Sequence, residues 1–399
     1  MQFTETGSPA YRRILMSMLL GSLVTFAILY SPQTLIATFA QQFQIPPSTA
    51  SLIISFATVT LAVSMLFVSM LSNAWGRKKM MALSLFITSV LAIISSFSWN
   101  FHILLAVRLL EGISLAGFPA IAMTYLSEEI SPRSIGRVMG VYVGGTAIGG
   151  FAGRVIISAF TDLFSWQVAF LVLGLVSLVC SSIFWYYLPE SRNFRRSEIS
   201  FQRWLSGFRI GFTNKRLLGL YGCGFLLLGV YVTMFNYISY PLSKPPYELS
   251  QTWIGLLFIF QLVGSWSSFM FGKWTERYSR VTLMIWAIIM LLGGAIITLL
   301  GNLLLLVVGI TVFALGFFAG HTIASGWIGA ISPPGGKAYA SSLYLLFYYT
   351  GSSLVGWLGG LFLASLGWSG VILMIGGLVL LVAALLLQIA RPQPAQANS

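Results

Sequence analysis

The sequence predicts an all-α membrane protein of twelve transmembrane helices arranged as two pseudo-symmetric six-helix bundles. Three observations predict it. The chain is 57% hydrophobic and 8% charged, whereas a soluble domain carries about a quarter charged residues. Twelve apolar stretches reach the roughly 20 residues that a bilayer crossing needs. Two short basic segments between apolar stretches echo one another. The first runs from Ser69 through Gly76-Arg77-Lys78-Lys79 to Met81, and the second from Gly272 through Glu276-Arg277 and Arg280 to Leu283. Aligning Arg77 with Arg280 gives an offset of 203 (280 − 77), close to half of the 399 residues. Such an echo marks an internal repeat.

In order, the stretches are 14–40, 48–72, 80–98, 101–127, 137–161 and 166–188 in the first half (spans 1–6). Those of the second half (spans 7–12) are 216–240, 250–274, 281–300, 303–330, 338–363 and 368–390. Span 1 is too long for a signal-peptide core and no cleavage site follows it, so it reads as a retained crossing. The basic segments separate spans 2 and 3 and spans 8 and 9. Most other connections are short. The exception is 189–215, polar and rich in arginine (Arg192, Arg195, Arg196, Arg203, Arg209). The division is therefore a bundle at 1–189, a cytoplasmic linker at 190–215 and a bundle at 216–399. Trp75, Trp99, Trp166, Trp185 and Trp274 fall near span ends, as interfacial anchors do.

The net charge of +13 is dispersed among loops and forms no patch for nucleic acid; the partner it implies is the lipid bilayer. With a cytoplasmic N-terminus, 19 of the 22 basic residues fall in inside segments and only Lys244 in an outside loop. That asymmetry places both termini in the cytoplasm. Cys180 and Cys223 lie in apolar spans without metal-ligand spacing, and read as packing residues.

Twelve spans in two sixes, a long central loop and a repeated basic loop together resemble the major facilitator superfamily over essentially the whole chain. The family loop between spans 2 and 3 reads G-x-L-x-D-x-x-G-R-K/R. Leu71, Gly76, Arg77 and Lys78 match it; Ser69 and Asn73 depart from it. Arg108-Leu-Leu-Glu111-Gly112 is similar to the arginine motif of proton-coupled members. The run from Gly145 to Arg154 is similar to the glycine-rich motif of the drug/proton antiporter branch, without its usual proline. Pro189-Glu190-Ser191-Arg192 is also common in the family. The runs Gly320 to Gly329 and Ala340 to Tyr344 are similar to the YnfM-type subgroup, read as efflux permeases. The resemblance implies a secondary transporter of the bacterial cytoplasmic membrane. It would move a small molecule by proton-coupled efflux, as a monomer, with the proton gradient as energy source and no cofactor or metal.

The basic segments imply a conformational latch. In the family, an acid at the position of Asn73 holds the outward-facing state. Asparagine carries no charge, so a weaker latch is expected, or one shifted to the second copy with Glu276, Arg277 and Arg280. Topology alone would also explain Arg77 and Lys78, but not Gly76 or the echo.

Arg108, Glu111 and Arg154 lie within spans, where a charge costs about 2.5–3.5 kcal/mol even on lenient scales and therefore faces a cavity or a partner. Arg108 and Glu111 share one face of span 4. Arg154 reaches a similar depth on span 5. The three are expected to form one cluster, serving as a proton-coupling site or as a static brace. His321 is the histidine deep in a span, either a titrating cavity group or a packed ring bonded to Thr322 or Ser325. Gln33 on span 1 and Asn236 and Tyr237 on span 7 are candidate neutral substrate contacts. Span 1 holds no acid, which disfavours a cationic substrate; two intramembrane arginines favour anionic or neutral ones. Gly145, Gly149 and Gly153 on span 5, and Gly356 and Gly360 on span 11, have the small-xxx-small spacing of closely packed helices.

Competing activities are proton symport or uniport on the same fold, a channel, and a membrane-embedded enzyme. Enzyme motifs such as H-E-x-x-H and G-x-S-x-G are absent from the sequence, and Gly335-Gly336-Lys337 is not a phosphate-binding loop.

Overall fold

The structure, a computed structural model, describes residues 3–131, 134–194, 211–212, 214–332 and 336–390. Arg133 and most of the linker, with Arg195, Arg196, Arg203 and Arg209, lie outside the described residues. Among the described residues, eleven helices are long and apolar enough to cross a membrane. Spans 1–6 are Pro9–Gln42, Pro47–Trp75, Arg77–Ser95, Phe101–Glu129, Ile135–Leu163 and Trp166–Tyr187. Spans 7–10 are Lys215–Leu242, Gln251–Trp274, Arg280–Ile297 and Leu303–Ile331. The eleventh, Lys337–Ala390, has 54 residues. At 1.5 Å per residue it would be about 80 Å long, more than twice the roughly 30 Å hydrocarbon core. Gly367 interrupts it with φ 64° and ψ −154°, a conformation that glycine adopts without steric cost. The segment therefore serves as spans 11 (337–366) and 12 (368–390), and the expected loop at 364–367 shrinks to one glycine.

Helix starts follow polar caps. Ser8, Asn100, Ser165, Asn214, Ser279 and Asn302 each accept a main-chain N–H of the first turn, satisfying donors that the helix leaves open. Span 8 is interrupted at the single residue Phe258, with no proline behind it, and three other expected single helices break close to a proline. Span 1 passes through a 3-10 segment at Ser31–Leu35, span 4 breaks after Leu115 and span 7 after Tyr237. Each of these three breaks has a proline close behind it: Pro32, Pro119 and Pro241. Proline has no N–H, so the carbonyl four residues earlier (Ile28, Leu115, Tyr237) loses its helical donor.

The packing repeats with the sequence. Span 1 packs on span 5 as span 7 packs on span 11; span 2 meets span 11 as span 8 meets span 5. A Cβ at Gly149 would lie 2.7 Å from Leu23 Cα, and one at Gly153 2.6 Å from Ala27 Cα. These glycines therefore set the approach of spans 1 and 5. Gly356 faces Val232 and Asn236, and Gly360 faces Ser48 of the other half. Gly140 and Gly144 meet nothing and fall outside the stripe. Trp75, Trp99, Trp185 and Trp274 are exposed, as anchors are. Trp166 instead is 3% exposed, packed edge-on against Phe39, and is a core residue.

Candidate functional site

Arg108 and Glu111 are both fully buried and paired with each other. The Arg108 guanidinium also donates to three main-chain carbonyls: Nε to Ile53 at 2.9 Å, Nη1 to Ile28 at 3.1 Å and Nη2 to Leu29 at 2.8 Å. The Ile28 carbonyl is the one that Pro32 leaves without a helical donor. Ser95 Oγ donates to the second oxygen of Glu111 at 3.2 Å. The pair thus ties span 4 to spans 1, 2 and 3 and holds the break in span 1 from below.

Arg154 holds the same break from above, without joining that pair. Its Nε and Nη2 both donate to Gln33 Oε1, at 3.0 and 2.5 Å, and its Nη1 to the Gly150 carbonyl at 2.8 Å. The expected three-residue cluster is therefore two separate sites on either side of residues 28–33. Gln33 Nε2 continues across the bundle interface to Asn236 Oδ1 at 2.7 Å. Gln33 and Asn236, expected as substrate contacts, bond to one another; both are at most 1% exposed. Asn236 Nδ2 is left buried without a partner. Tyr237 is spent differently: its hydroxyl donates to the Gly356 carbonyl at 2.7 Å, tying span 7 to span 11 within its own half.

Further bonds join the halves. Ser353 Oγ shares a hydrogen bond with Thr58 Oγ1 at 2.7 Å and donates to the Ser55 carbonyl at 2.9 Å. Gln251 Nε2 donates to Thr38 Oγ1 at 2.9 Å. Asp162 accepts from Gln251 N, Thr252 N and Thr252 Oγ1 at 3.2, 2.7 and 2.6 Å, a carboxylate set against the open N–H groups of a helix start. Among the described residues, every side-chain bond between the bundles lies toward the face opposite the N-terminus. Asp162 was legible as the acid ending span 5, but its partner depends on how the bundles dock.

His321 Nδ1 is 2.9 Å from the Tyr344 hydroxyl, not bonded to Thr322 or Ser325. It stacks among Phe317, Tyr344 and Tyr348, and Phe317 lies 3.8 Å from Tyr231, centroid to centroid.

At the opposite end, Gly76 has φ 98° and turns span 2 into span 3 within one residue, a backbone suited to glycine. Arg77 makes a two-pronged pair with Glu128, at 3.2 and 2.9 Å, and donates to Ser72 at 2.5 Å. Lys78 lies 3.4 Å from Glu190. These contacts stay within the first bundle and the start of the linker, and sequence reasoning missed Glu128. Among the described residues, Asn73 makes no side-chain hydrogen bond and Glu276, Arg277 and Arg280 no ion pair.

Comparison with known proteins agrees with this architecture. The family model described as Major Facilitator Superfamily matches residues 18–265 and 245–399. An uncharacterized MFS-type transporter, YybF of Bacillus subtilis, is 41% identical over 94% of this chain and 93% of its own. The inner membrane transport protein YnfM of Escherichia coli is 41% identical over 93% of this chain and 88% of its own. Among solved structures, a bacterial homolog of the human lysosomal transporter Spinster, inward-facing and occupied, superposes with a TM-score of 0.77. It shares 14% identity over 98% of this chain and 100% of that one, a likeness of fold. The chain is a membrane transporter belonging to the major facilitator superfamily, and not an enzyme.

Proposed function

We propose that the protein is a monomeric secondary active transporter that expels a small organic solute by proton antiport. The two bundles would rock about the Arg154–Gln33–Asn236 bridge. The observation that carries this reading is the break at residues 28–33, gripped on one side by the Arg108–Glu111 pair and on the other by Arg154. Protonation of Glu111 would remove the charge facing Arg108 and loosen its hold on Ile28 and Leu29. The next turn of the chain bears Gln33, so a proton event and an interface event share one short segment. The charge asymmetry of the loops supports a reading in which the N-terminal face, the C-terminus and the linker would lie in the cytoplasm of a bacterial cell. The interbundle bonds then lie on the outer side, so the arrangement is closed to the outside. Asn73, Gly76, Arg77 and Lys78 of the first copy, with Glu276, Arg277 and Arg280 of the second, would latch the inner side in the alternate state.

Everted vesicles carrying an imposed proton gradient test the coupling. A panel of organic acids and neutral amphiphiles is added while an internal pH dye is read. Antiport predicts that the transported solute releases protons from the vesicle lumen; Glu111→Gln should abolish that release and keep downhill exchange. Protons and solute entering the vesicles together would mean symport, and solute movement without proton movement a uniport. Either result would overturn the antiport reading.

A further inference from the structure

Arg154 carries a full charge, since guanidinium stays protonated in proteins, yet among the described residues no acid answers it. The chain has nine acidic residues; Glu198 lies outside the described residues. Of the others, Glu111 pairs with Arg108, Glu128 with Arg77 and Glu190 with Lys78. Asp162 is held by Thr252, and Glu129 by Ser191 and Asn193. None pairs with Arg154, whose donors end on neutral oxygens. Two donors of its fork converge on one amide oxygen, where a carboxylate would make the two-pronged pair that guanidinium geometry favours.

The surroundings describe the rest of a ligand. The Arg154 guanidinium carbon lies 5.1 Å from the Tyr30 ring centroid and 4.6 Å from that of Phe258, one ring from each half of the chain. Phe258 continues through Phe235 and Tyr231 to Phe317 at successive centroid distances of 5.3, 4.9 and 3.8 Å. The cation is thus one end of an aromatic wall. A second, independent demand for an acceptor stands beside it: the Asn236 Nδ2 group, buried and unpartnered, on the residue that Gln33 reaches.

We propose that Arg154 is the anchor for the carboxylate of a small aromatic acid, the transported substrate. This rests on the reading of the protein as a transporter of organic solutes. The carboxylate takes the place of Gln33 Oε1 on the Arg154 fork, and the ring of the acid lies against the Tyr30 and Phe258 rings. Gln33 and the substrate compete for the same donors. Binding therefore releases Gln33 from Arg154 and alters the bridge to Asn236, which links occupancy of the site to the contact between bundles.

The test is binding of benzoate and phenylacetate to the purified full chain without any gradient, read by thermal unfolding and titration calorimetry. Benzamide and benzamidinium serve as neutral and cationic isosteres. The expected result is saturable stabilisation by the two carboxylates and none by the isosteres. Arg154→Lys should weaken benzoate by about tenfold, since it loses the fork, and Arg154→Gln should abolish binding. Gln33→Ala removes the competitor and should tighten it. Should Arg154→Gln not fold, the order of affinities among Gln33→Ala, the native chain and Arg154→Lys decides. An absence of carboxylate binding, an unchanged affinity across that series, or stabilisation by benzamidinium alone overturns the proposal. Because no transport is measured, such a failure leaves the antiport reading to its own test; failure of antiport with benzoate bound would leave this site standing.

Discussion

Gln33 Nε2 donates to Asn236 Oδ1 at 2.7 Å across the bundle interface, and the two residues are 203 apart in sequence. That offset is the one that aligns Arg77 with Arg280. Equivalent positions of the two halves therefore meet on the axis relating them, where transporters of repeated architecture place their sites. The halves are not chemically equivalent there, because Arg154 acts on the Gln33 side and position 357, its counterpart, is tryptophan.

This contact should help to hold the bundles closed on the face opposite the N-terminus. Gln33→Ala or Asn236→Ala removes the hydrogen bond the two share across the interface, about 1 kcal/mol, or roughly a fivefold shift between open and closed states; Gln33→Ala also removes the two bonds that Arg154 donates to Gln33. A cysteine at Ser48, buried against Gly360, reports it. Its maleimide labelling should speed up several-fold in either variant, and the double variant should add little to the single ones.

The Arg108–Glu111 pair should matter more to folding. Arg108→Ala leaves a buried carboxylate uncompensated, a loss of roughly 3–5 kcal/mol, and strips donors from the Ile28 and Leu29 carbonyls. The variant is expected to fail to accumulate or to unfold far below the native chain. Glu111→Gln keeps the shape and an acceptor, and should fold with a much smaller shift in thermal unfolding.

The glycines of span 5 divide into two groups with different expected tolerance. A methyl at Gly149 would meet Leu23 main chain at 2.7 Å, so Gly149→Ala should separate spans 1 and 5 and lower thermal stability, and Gly149→Leu should prevent folding. Gly144 meets nothing within 4 Å, and Gly144→Ala should be neutral or slightly stabilising because glycine weakens helices by about 1 kcal/mol. Thermal unfolding in detergent separates the two.

Arg77 should position the loop between spans 2 and 3 through Glu128. Glu128→Gln is expected to leave the fold intact, since the pair is partly exposed and such pairs contribute about 1 kcal/mol or less, while freeing Arg77 on the N-terminal face. Asn73→Asp adds the charge that the family motif carries and should shift the distribution of bundle orientations, measured by cysteine accessibility on the two faces. An unchanged pattern would remove Asn73 from the latch.

Much of this was legible from sequence because hydropathy and loop charge depend on single stretches of chain. The spans, the basic echo and the buried charges at 108, 111 and 154 follow from residue type and depth alone. The breaks at Tyr30–Leu35, Leu115 and Tyr237 were legible too, through Pro32, Pro119 and Pro241, but apolar periodicity hides a proline inside a long hydrophobic run. Partner choice was not legible. Arg154 bonding Gln33 instead of Glu111, His321 bonding Tyr344, and Arg77 bonding Glu128 all depend on how helices rotate and dock, which no local pattern records. Trp166 shows the same limit: its place at a span end suggested the interface, and tertiary packing buried it.

The central claim is that the bundles alternate about an interface that is closed here on the face opposite the N-terminus. A distance measurement between spin labels at Phe164 and Lys244, exposed on that face in the first and second halves, tests it most directly, in a chain with Cys180 and Cys223 replaced. The account predicts a short-distance population matching this structure and a second, longer one, in proportions that change with pH in the native chain and no longer change in Glu111→Gln. A single distance, the same at every pH and in both proteins, would contradict it.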